Sequence, residues 1–404
     1  MDLLAGVRVV DLTTFLSGPF CTQLLGDLGA DVIKVEPPSG DSSRRIPPHF
    51  VGEDSAYFLS TNRNKRSVVV DLKQRAGIDV VERLIEASDV VVENFRPGVC
   101  TRLGLDPAGL RRRQPRLVWC SISGFGQTGS EAERPAYDMI VQALSGVMSL
   151  TGEPGRPSVR LGIPAGDLVA GLYGAIAIQA ALHRRDRTGE GASLDVAMLD
   201  CQLAMLSYQA VYSMVSGTTP QPQGSAHDSI PTYRTFVARD GRQFAVTANT
   251  DRMWEGLCDA FDRRDLLEDR RFATLSSRLE YARDLSDTLE TAVRTRSAAE
   301  WVDRLQERDV PVALIATVPE ALEAARASGR GMVRELHGER GTVPTVSLPI
   351  RVDGQAADDG TYPPALGADT SAILSDVVGL SPSAVAHLVS SRVVGDPKVD
   401  AREA

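Results

Sequence analysis

The feature that most constrains the fold is an alternation, in the first third of the chain, of short β-branched segments with stretches of helical periodicity. Residues 7–12 and 31–35 have the pattern of buried strands, and residues 19–28 between them have that of a helix, which Gly29 ends. Strands that alternate with helices of this length form parallel sheets. The sequence therefore predicts an α/β fold with a doubly wound, mostly parallel, Rossmann-like sheet whose ligand contacts lie at the strands' carboxyl ends. The other predicted strands are 67–72, 89–92, 117–121 and 192–196, and the other predicted helices here are 77–87, 107–113, a long helix after residue 167, and 198–215.

A second domain is expected because the chain has 404 residues, and single cores stop growing at about 250–300 residues. Residues 216–224 are rich in glycine, proline and polar side chains, which is the composition of a linker. Beyond them, residues 233–238 and 243–248 predict an antiparallel hairpin, with helical periods at 253–261, 278–293 and 298–308. We predict a large α/β domain (1–216), a smaller α+β domain (217–330) and a C-terminal segment (331–404) that returns to the large domain.

The composition excludes several classes of protein. With 43% hydrophobic and 24% charged residues the chain is typical of soluble globular proteins, and its net charge of −9 argues against general nucleic-acid binding. No stretch reaches the roughly 18 apolar residues of a membrane span, and the N-terminus lacks the basic flank of a signal peptide. We therefore expect a cytoplasmic protein without a membrane partner. The five cysteines include no C-x-x-C pair and the five histidines are dispersed, so no metal site is predicted.

The common nucleotide-binding motifs are missing. Glu36 ends the second predicted strand and is placed like an acid that binds a dinucleotide ribose. The loop before the first helix, 15–19, nevertheless lacks G-x-G-x-x-G, and Pro19 stands where that motif requires an open backbone. A P-loop, a G-x-S-x-G elbow and an H-E-x-x-H helix are absent as well. The sequence therefore argues against a nicotinamide enzyme, and it lacks the usual signatures of ATP, serine-hydrolase and zinc chemistry.

Asp167 is the residue that most suggests chemistry. It follows the turn 162–166 at the start of a long helix rich in small and apolar residues, in which Leu172 and Ile176 belong to the face expected to be buried. The positive end of the helix dipole favours an ionised carboxylate there, as a carboxylate nucleophile requires. Asp is also a common N-cap residue, so this segment by itself leaves a purely structural role open.

A series of short motifs runs in order across nearly the whole chain. The motifs are Ser17-Gly18-Pro19, LGDLGADVIKVE (25–36), NRNKRS (62–67), ENFRPG (93–98), Ala136-Tyr137-Asp138, Ser145-Gly146, Asp167 with Gly171, Gly189-Glu190-Gly191, Asp240-Gly241 and PALG (364–367). Together, and in this order, they resemble the motifs of the class III CoA-transferases, the family of formyl-CoA transferase and carnitine CoA-transferase.

The resemblance implies an enzyme that moves coenzyme A from an acyl-CoA thioester to a free carboxylic acid. It implies Asp167 as the nucleophile, which forms a mixed anhydride and then an aspartyl-CoA thioester, with Tyr137 and Asp138 assisting. It also implies an interlocked homodimer, no permanently bound cofactor, and coenzyme A thioester as a substrate. The positions that correspond to CoA-binding segments are Ser17, Val70, Lys73, Asn94, Phe95, Arg96 and Arg102.

Some departures from the family pattern bear on substrate choice. Where formyl-CoA transferase has a glutamine and an arginine, this chain has Leu16 and Pro37. Whether these two positions contact coenzyme A is therefore an open question at this point. Its glycine-rich substrate loop is replaced by residues 224–231, which resemble transferases for larger acids rather than for formate or oxalate.

Two other functions stay open at this point. The α-methylacyl-CoA racemases share the fold but use a His-Asp pair where this chain has Tyr137-Asp138, and a tyrosine of pKa about 10 is a poor base near neutrality. The alternative for this pair is purely structural, as the start of a helix that runs to residue 150. A non-catalytic acyl-CoA-binding protein is the third possibility, against which an intact Asp167 weighs.

Overall fold

The computed structural model describes residues 1–356 and 360–395. The chain forms two compact units, which we call the large unit (1–147, 160–217 and the described residues from 325 onward) and the small unit (148–159 and 218–324). The first predicted boundary differs from the observed one by one residue. Two details differ more: residues 148–159 belong to the small unit, and the return to the large unit begins at Ala325 instead of at residue 331.

The large unit is built on strands that alternate with helices. The elements up to Gly217 are, in chain order, β1 (Arg8–Asp11), α1 (Ser17–Asp27), β2 (Asp31–Glu36), β3 (Phe50–Val51), β4 (Asp54–Ser55), α2 (Ala56–Leu59), β5 (Lys65–Val70), α3 (Arg75–Glu86), β6 (Val90–Glu93), α4 (Val99–Leu103), α5 (Pro107–Arg113), β7 (Val118–Ser123), α6 (Asp138–Leu144), α7 (Val147–Leu150), α8 (Ala165–Thr188), β8 (Ser193–Ala197), α9 (Met198–Met205) and α10 (Tyr208–Ser216).

The central sheet has the strand order β5-β2-β1-β6-β7-β8, with every neighbouring pair parallel. In order of appearance along the chain this is 3-2-1-4-5-6, the order typical of dinucleotide-binding folds. The chain reverses its direction of travel between β1 and β6, where Val9 pairs with Val90. A crevice at the carboxyl ends of these two strands is therefore the expected place for a ligand.

Helices cover both faces of this sheet, as a doubly wound fold requires. On one face Val9, Val32 and Val90 pack with apolar residues of α1 and α8. On the other face Val10 and Val91 pack with α3, α5 and the C-terminal helices. Because alternate residues of a strand point to opposite faces, the continuous apolar runs in the sequence supply both cores.

The small unit is an α+β assembly around a three-stranded antiparallel sheet of order β11-β10-β9. Its core includes Trp254, Trp301 and Phe261, the last two with ring centroids 4.7 Å apart. Its elements, of which the last runs into the large unit, are β9 (Tyr233–Val237), β10 (Gln243–Thr247), α11 (Asp251–Ala260), α12 (Asp265–Glu268), α13 (Leu275–Glu280), α14 (Ala282–Val293), α15 (Ala298–Gln306), β11 (Val312–Leu314) and α16 (Val318–Ala327).

The C-terminal segment packs in the large unit. Its last strand pairs antiparallel with β5, so that Val394 lies opposite Val70 at the edge of the central sheet. The elements of this segment are β12 (Val333–Gly338), β13 (Gly341–Val346), β14 (Arg351–Val352), β15 (Gln355–Ala356), α17 (Thr370–Asp376), α18 (Pro382–Ser390) and β16 (Val394–Gly395).

Three helices that the sequence predicts as continuous are broken. The predicted helix 198–215 is interrupted at Ser207, whose φ is +50°, and the helix predicted to reach residue 150 is interrupted at Gly146, whose φ is +87°. The third is interrupted at Tyr281, between α13 and α14.

In the single chain, α8 does not pack on the core through the face that the sequence predicts. Leu172 and Ile176 are 44% and 60% exposed, whereas the buried side carries mostly small residues, including Ala170, Gly171 and Gly174. Backbones approach most closely where side chains are smallest, so α8 docks through its glycines. Of the helices that the structure describes, α8 is the one long and apolar enough to cross a membrane; core helices of soluble proteins also have these properties, and half of its most apolar stretch is buried.

A network of buried ion pairs joins the strands of the large unit. Lys34 lies 2.9 Å from Asp41, and Lys65 lies 3.0 Å from Asp11, with all four side chains almost wholly buried. Burial by itself would raise the pKa of Asp11, but the charges of Lys65 and Lys34 outweigh it and hold that pKa well below its usual range. Glu36, which resembled a ribose-binding acid in the sequence, is instead paired with Arg44 at 2.7 Å.

We predict that Lys34→Met destabilises the large unit by about 3–5 kcal/mol, because removal of one partner leaves a buried carboxylate unpaired. The matched control is Arg75→Met, which removes the exposed pair with Asp79 and costs at most about 1 kcal/mol. Urea unfolding of both variants measures the difference. Equal stability of the two variants would contradict the importance of the buried network.

Candidate active site

Asp167 is the third residue of α8. The N-cap of this helix is Pro164, and no side chain caps it, so the capping role that the sequence left open for Asp167 is wrong. Its carboxyl group still lies in the first helical turn, where unpaired N–H groups create a positive potential. The structure therefore leaves this carboxylate available for another purpose.

Close packing of α8 against α1 places Ser17 beside Asp167. A Cβ atom added at Gly171 would lie only 2.8 Å from the backbone oxygen of Ser17, so only glycine permits this approach. The hydroxyl of Ser17 lies close enough to the Asp167 carboxyl group to lower its pKa. Gly171 thus brings the two side chains together.

The loop after β1, residues 13–15, is held by polar side chains from three other segments. The Asn94 side chain accepts from the Thr14 N–H at 2.9 Å and donates to the Thr14 carbonyl at 2.8 Å. Lys34 donates to the Thr13 carbonyl at 2.8 Å, and Asp41 accepts from the Phe15 N–H at 3.4 Å. The buried ion network therefore extends directly to the loop that leads into α1.

Asn94 is also linked to Asp167 through Ser17. Its amide donates to the Ser17 hydroxyl at 3.3 Å, and Ser17 in turn contacts Asp167. The next residue along the chain, Phe95, donates its N–H to the buried Glu93 carboxyl at 2.8 Å. Because the polar atoms of Asn94 are engaged in this way, its side chain positions the site instead of offering free donors to coenzyme A.

Asp138 lies directly against the start of α8. One of its oxygens accepts from the Gly166 N–H at 2.7 Å, and the other accepts from the Gln142 amide at 2.7 Å. Asp138 is also the first residue of α6, as the structural interpretation of the pair expected. The Asp138 carboxylate thus begins α6 and also contacts the backbone one residue before Asp167.

The electrostatic environment of Asp167 disfavours its charge. Burial raises the pKa of Asp167 to about 7, the negative charge of Asp138 adds to the rise, and the hydrogen bond from Ser17 opposes it. A carboxylate whose pKa is shifted by burial and by a like charge is a frequent mark of an active site.

These groups open into one cavity of about 190 Å³, which we call the nucleophile pocket. It lies at the carboxyl ends of β1 and β6, where the strand order reverses. Of the positions predicted from the sequence, it is lined by Ser17, Asn94, Phe95, Arg96, Tyr137 and Asp167.

A second cavity of about 400 Å³, which we call the strand-end groove, shares Thr14 and Phe95 with the nucleophile pocket. Lys73 and Pro37 line it, so a predicted CoA-binding cation faces a largely apolar groove. Val70 and Arg102 line neither cavity. Val70 is fully buried in β5, and Arg102 is exposed at the end of α4.

The pocket contains residues that sequence reasoning missed. Phe15 has a φ of +63°, an uncommon value for a bulky residue, and its ring meets that of Tyr137 edge-on at 6.0 Å. Arg134 lines the same pocket. Tyr57 was also missed: burial raises its pKa to about 12, and the charges of Asp167, Asp41 and Asp138 contribute. None of these three stands out in the sequence, because each depends on a tertiary contact.

No cluster of three or more histidine, cysteine or acidic side chains suited to a metal ion occurs in residues 1–356 and 360–395. The pocket offers a carboxylate, a hydroxyl, a phenol and two guanidinium groups. This set suits nucleophilic attack on a carbonyl carbon and the binding of anions.

Comparison with known proteins decides the family. The model of CoA-transferase family III matches residues 4–370. The chain belongs to this enzyme family. It is 37% identical to a succinate–glutarate CoA-transferase of Agrobacterium fabrum (93% of this chain, 95% of the relative). It is 38% identical to an acetyl-CoA:oxalate CoA-transferase of Acetobacter aceti (86% and 89%). It also resembles the crystal structure of a CaiB/BaiF family protein from Brucella suis, with a TM-score of 0.83, 37% identity and coverage of 93% and 99%.

The family resemblance implies that the ionised form of Asp167 is the nucleophile. We therefore predict that kcat/KM for acyl-CoA rises with pH through about 7, because the pKa of Asp167 is raised to that value. In Asp138→Asn the rise shifts to lower pH, since one cause of the raised pKa is removed. The matched control is Asp186→Asn, at the far end of the same helix, which leaves the profile unchanged. A profile that is identical in wild type and Asp138→Asn would contradict the coupling.

Proposed function

We propose that this protein transfers coenzyme A from an acyl-CoA thioester to a dicarboxylic acid through covalent intermediates on Asp167. The observation that carries the proposal is a single pocket in which Asp167, Ser17, Tyr137 and two arginines meet at the switch point of the sheet. The family and its transferase relatives support the reaction class.

In the first half of the reaction the Asp167 carboxylate attacks the thioester carbonyl. The C–S bond breaks, the CoA thiolate leaves, and a mixed anhydride remains on Asp167. The thiolate then attacks the aspartyl carbonyl of this anhydride, which forms an aspartyl-CoA thioester and releases the donor acid. Each step exchanges one acyl derivative for another of similar energy, so neither ATP nor a metal is required.

The second half is the reverse sequence with a new acid. The acceptor carboxylate attacks the aspartyl-CoA thioester, the thiolate leaves, and a second anhydride forms. Attack of the thiolate on the acceptor side of this anhydride gives the new acyl-CoA and regenerates Asp167. The raised pKa of Asp167 suits this role, since a more basic carboxylate is a better nucleophile once it is ionised.

The neighbouring groups have distinct roles in this proposal. Ser17 orients the attacking oxygen, and Tyr137 donates a hydrogen bond to a reacting carbonyl oxygen. Asp138 sets the pKa of Asp167 and fixes the Gly166 N–H. The strand-end groove, with Lys73 and Phe95, accepts part of the CoA moiety, since its apolar walls suit the adenine or pantetheine and its lysine suits a phosphate.

Dicarboxylic acids are the acceptor class that the relatives favour. The names of the two transferases compared above include succinate, glutarate and oxalate, all of which carry two carboxylates. Two arginines in the nucleophile pocket give this chain the charge that such anions require. Oxalate is also a dicarboxylic acid, but residues 224–231 resemble the corresponding loop of transferases for larger acids. The longer dicarboxylic acids are therefore the acceptors that we propose.

The alternative activity of a racemase requires a base that removes an α-proton. No histidine is found among the described residues that line the nucleophile pocket, and Tyr137 occupies the position of the racemase histidine. We expect no deuterium exchange at the α-carbon of a 2-methylacyl-CoA without an acceptor acid. Exchange at a rate near that of transfer would favour the racemase.

We predict that Asp167→Asn lowers kcat for CoA transfer by more than about a thousandfold, because the amide is not a nucleophile. The variant binds acetyl-CoA normally and is no less stable than wild type at pH 8, since ionisation of a carboxyl group with a raised pKa costs folding energy there. Asp186→Asn, on the same helix, retains full activity. Appreciable turnover by Asp167→Asn would remove this residue from the mechanism.

We further propose that the active form is an interlocked homodimer, as the family resemblance implies. Large apolar side chains are exposed on α8 and α10 of the single chain, among them Ile176 at 60%, Val211 at 51% and Val215 at 82%. Such side chains, if they form a contiguous patch, mark a surface that another protein covers.

Sedimentation is expected to show a dimer of 43.4 kDa chains that does not dissociate on dilution unless the protein unfolds. Ile176→Glu destabilises this dimer because a charge is placed in its apolar contact, whereas Leu3→Glu, at a comparably exposed apolar position, leaves it unchanged. A stable and active monomer would contradict the dimer, and reversible dissociation on dilution would contradict interlocking.

A further inference from the structure

The nucleophile pocket contains positively charged side chains that take no part in the bond-making and bond-breaking steps above. Its described lining includes two positively charged residues, Arg96 and Arg134, and no lysine or histidine. Arg96 directly follows Phe95, the residue shared with the strand-end groove, so it belongs to the wall toward that groove. Arg134 belongs to the segment that leads to Tyr137 on another part of the wall.

The segment that carries Arg134 is pressed against the end of β7. A Cβ atom added at Gly124 would lie 2.4 Å from the Cβ of Ala136, so only glycine allows this contact. The contact fixes the backbone two residues beyond Arg134 and one residue before Tyr137. Both side chains are thereby held on the pocket wall with Asp167.

The guanidinium group of Arg134 is held by two contacts that leave several of its N–H groups without a hydrogen bond from within this part of the structure. It lies over the Phe125 ring, 5.4 Å from the centroid, and one of its nitrogens, Nη1, lies 2.9 Å from Glu131. This ion pair is about half exposed on both sides and therefore contributes little stability. The remaining N–H groups of the guanidinium can bind a carboxylate through two parallel hydrogen bonds.

A dicarboxylic acceptor needs such a group. While one carboxylate of the acceptor reacts at Asp167, its other carboxylate brings a negative charge into a pocket whose nucleophile is itself a carboxylate. A negative charge without a cationic partner is costly there. The acids named for the two relatives differ from simple fatty acids in carrying this second charge. A cation near Asp167 would therefore select dicarboxylic over monocarboxylic acceptors.

We propose that Arg134 is the specificity-determining residue for the acceptor, and that it binds the distal carboxylate of a dicarboxylic acid while the proximal carboxylate reacts. The proposal rests on the transferase function proposed above. Arg134 lies three residues before Tyr137, so one segment of the pocket wall carries both the residue that selects the acceptor and a residue that assists the reaction.

The test compares glutarate with monomethyl glutarate, which has the same length but a single charge, with acetyl-CoA as donor. Wild type prefers glutarate, and Arg134→Gln lowers the ratio of the two kcat/KM values by roughly 10- to 100-fold, the usual worth of a hydrogen bond to a charged group. Arg134→Lys recovers part of the ratio. The matched control is Arg113→Gln, which removes an exposed arginine paired with Glu82 on α3 and leaves the ratio unchanged.

Several outcomes overturn the proposal. If Arg134→Gln slows both acceptors equally, the arginine has a structural role alone. If Arg96→Gln and not Arg134→Gln lowers the ratio, the distal carboxylate binds on the other wall. Equal use of both acceptors by wild type excludes recognition of the second charge and does not depend on the folding of any variant. Absence of transfer to any acid in wild type refutes the proposed function itself, which the other outcomes leave intact.

Discussion

The contact on which the site depends is the close approach of α1 and α8 at Gly171. It brings the first residue of α1, Ser17, against the carboxyl group of Asp167 in the first turn of α8. Asn94 from the β6 end ties Ser17 to the loop before it, and Lys34 holds that loop from within the buried ion network. Asp167 is therefore positioned by a path of buried and partly buried contacts that begins at Lys34 in the central sheet.

Buried charge has two opposite uses in this molecule. In the ion network carboxylates are paired with lysine or arginine, which keeps the pKa of Asp11 low and joins neighbouring strands. Asp167 is partly buried, and its charged neighbour is Asp138, so burial and the negative charge of Asp138 raise its pKa, which the Ser17 hydroxyl opposes only in part. A buried carboxylate with a cationic partner therefore remains charged, whereas the carboxyl group of Asp167, without such a partner in this pair of contacts, is more easily protonated.

Much of the fold could be predicted from the sequence, because strand and helix periods are local. The parallel strands of the sheet and the position of Asp167 at the start of a helix are correct within a few residues. On α8, apolar periodicity predicted that Leu172 and Ile176 are buried, but in the single chain both are exposed, because the helix packs against α1 through its glycines. Arg134 could not be found at all: an arginine in a loop resembles any surface arginine until its neighbours in space are known.

The most direct test of the account is to detect the covalent intermediate on Asp167. Wild-type protein is mixed with acetyl-CoA, quenched with acid and digested, and the peptides are examined by mass spectrometry. The account predicts a peptide containing Asp167 whose mass is increased by that of coenzyme A less one water, and whose label is lost on treatment with glutarate before the quench. Hydroxylamine converts the same residue to a hydroxamate. A label on another residue, or active protein that never carries one, would contradict the central role of Asp167.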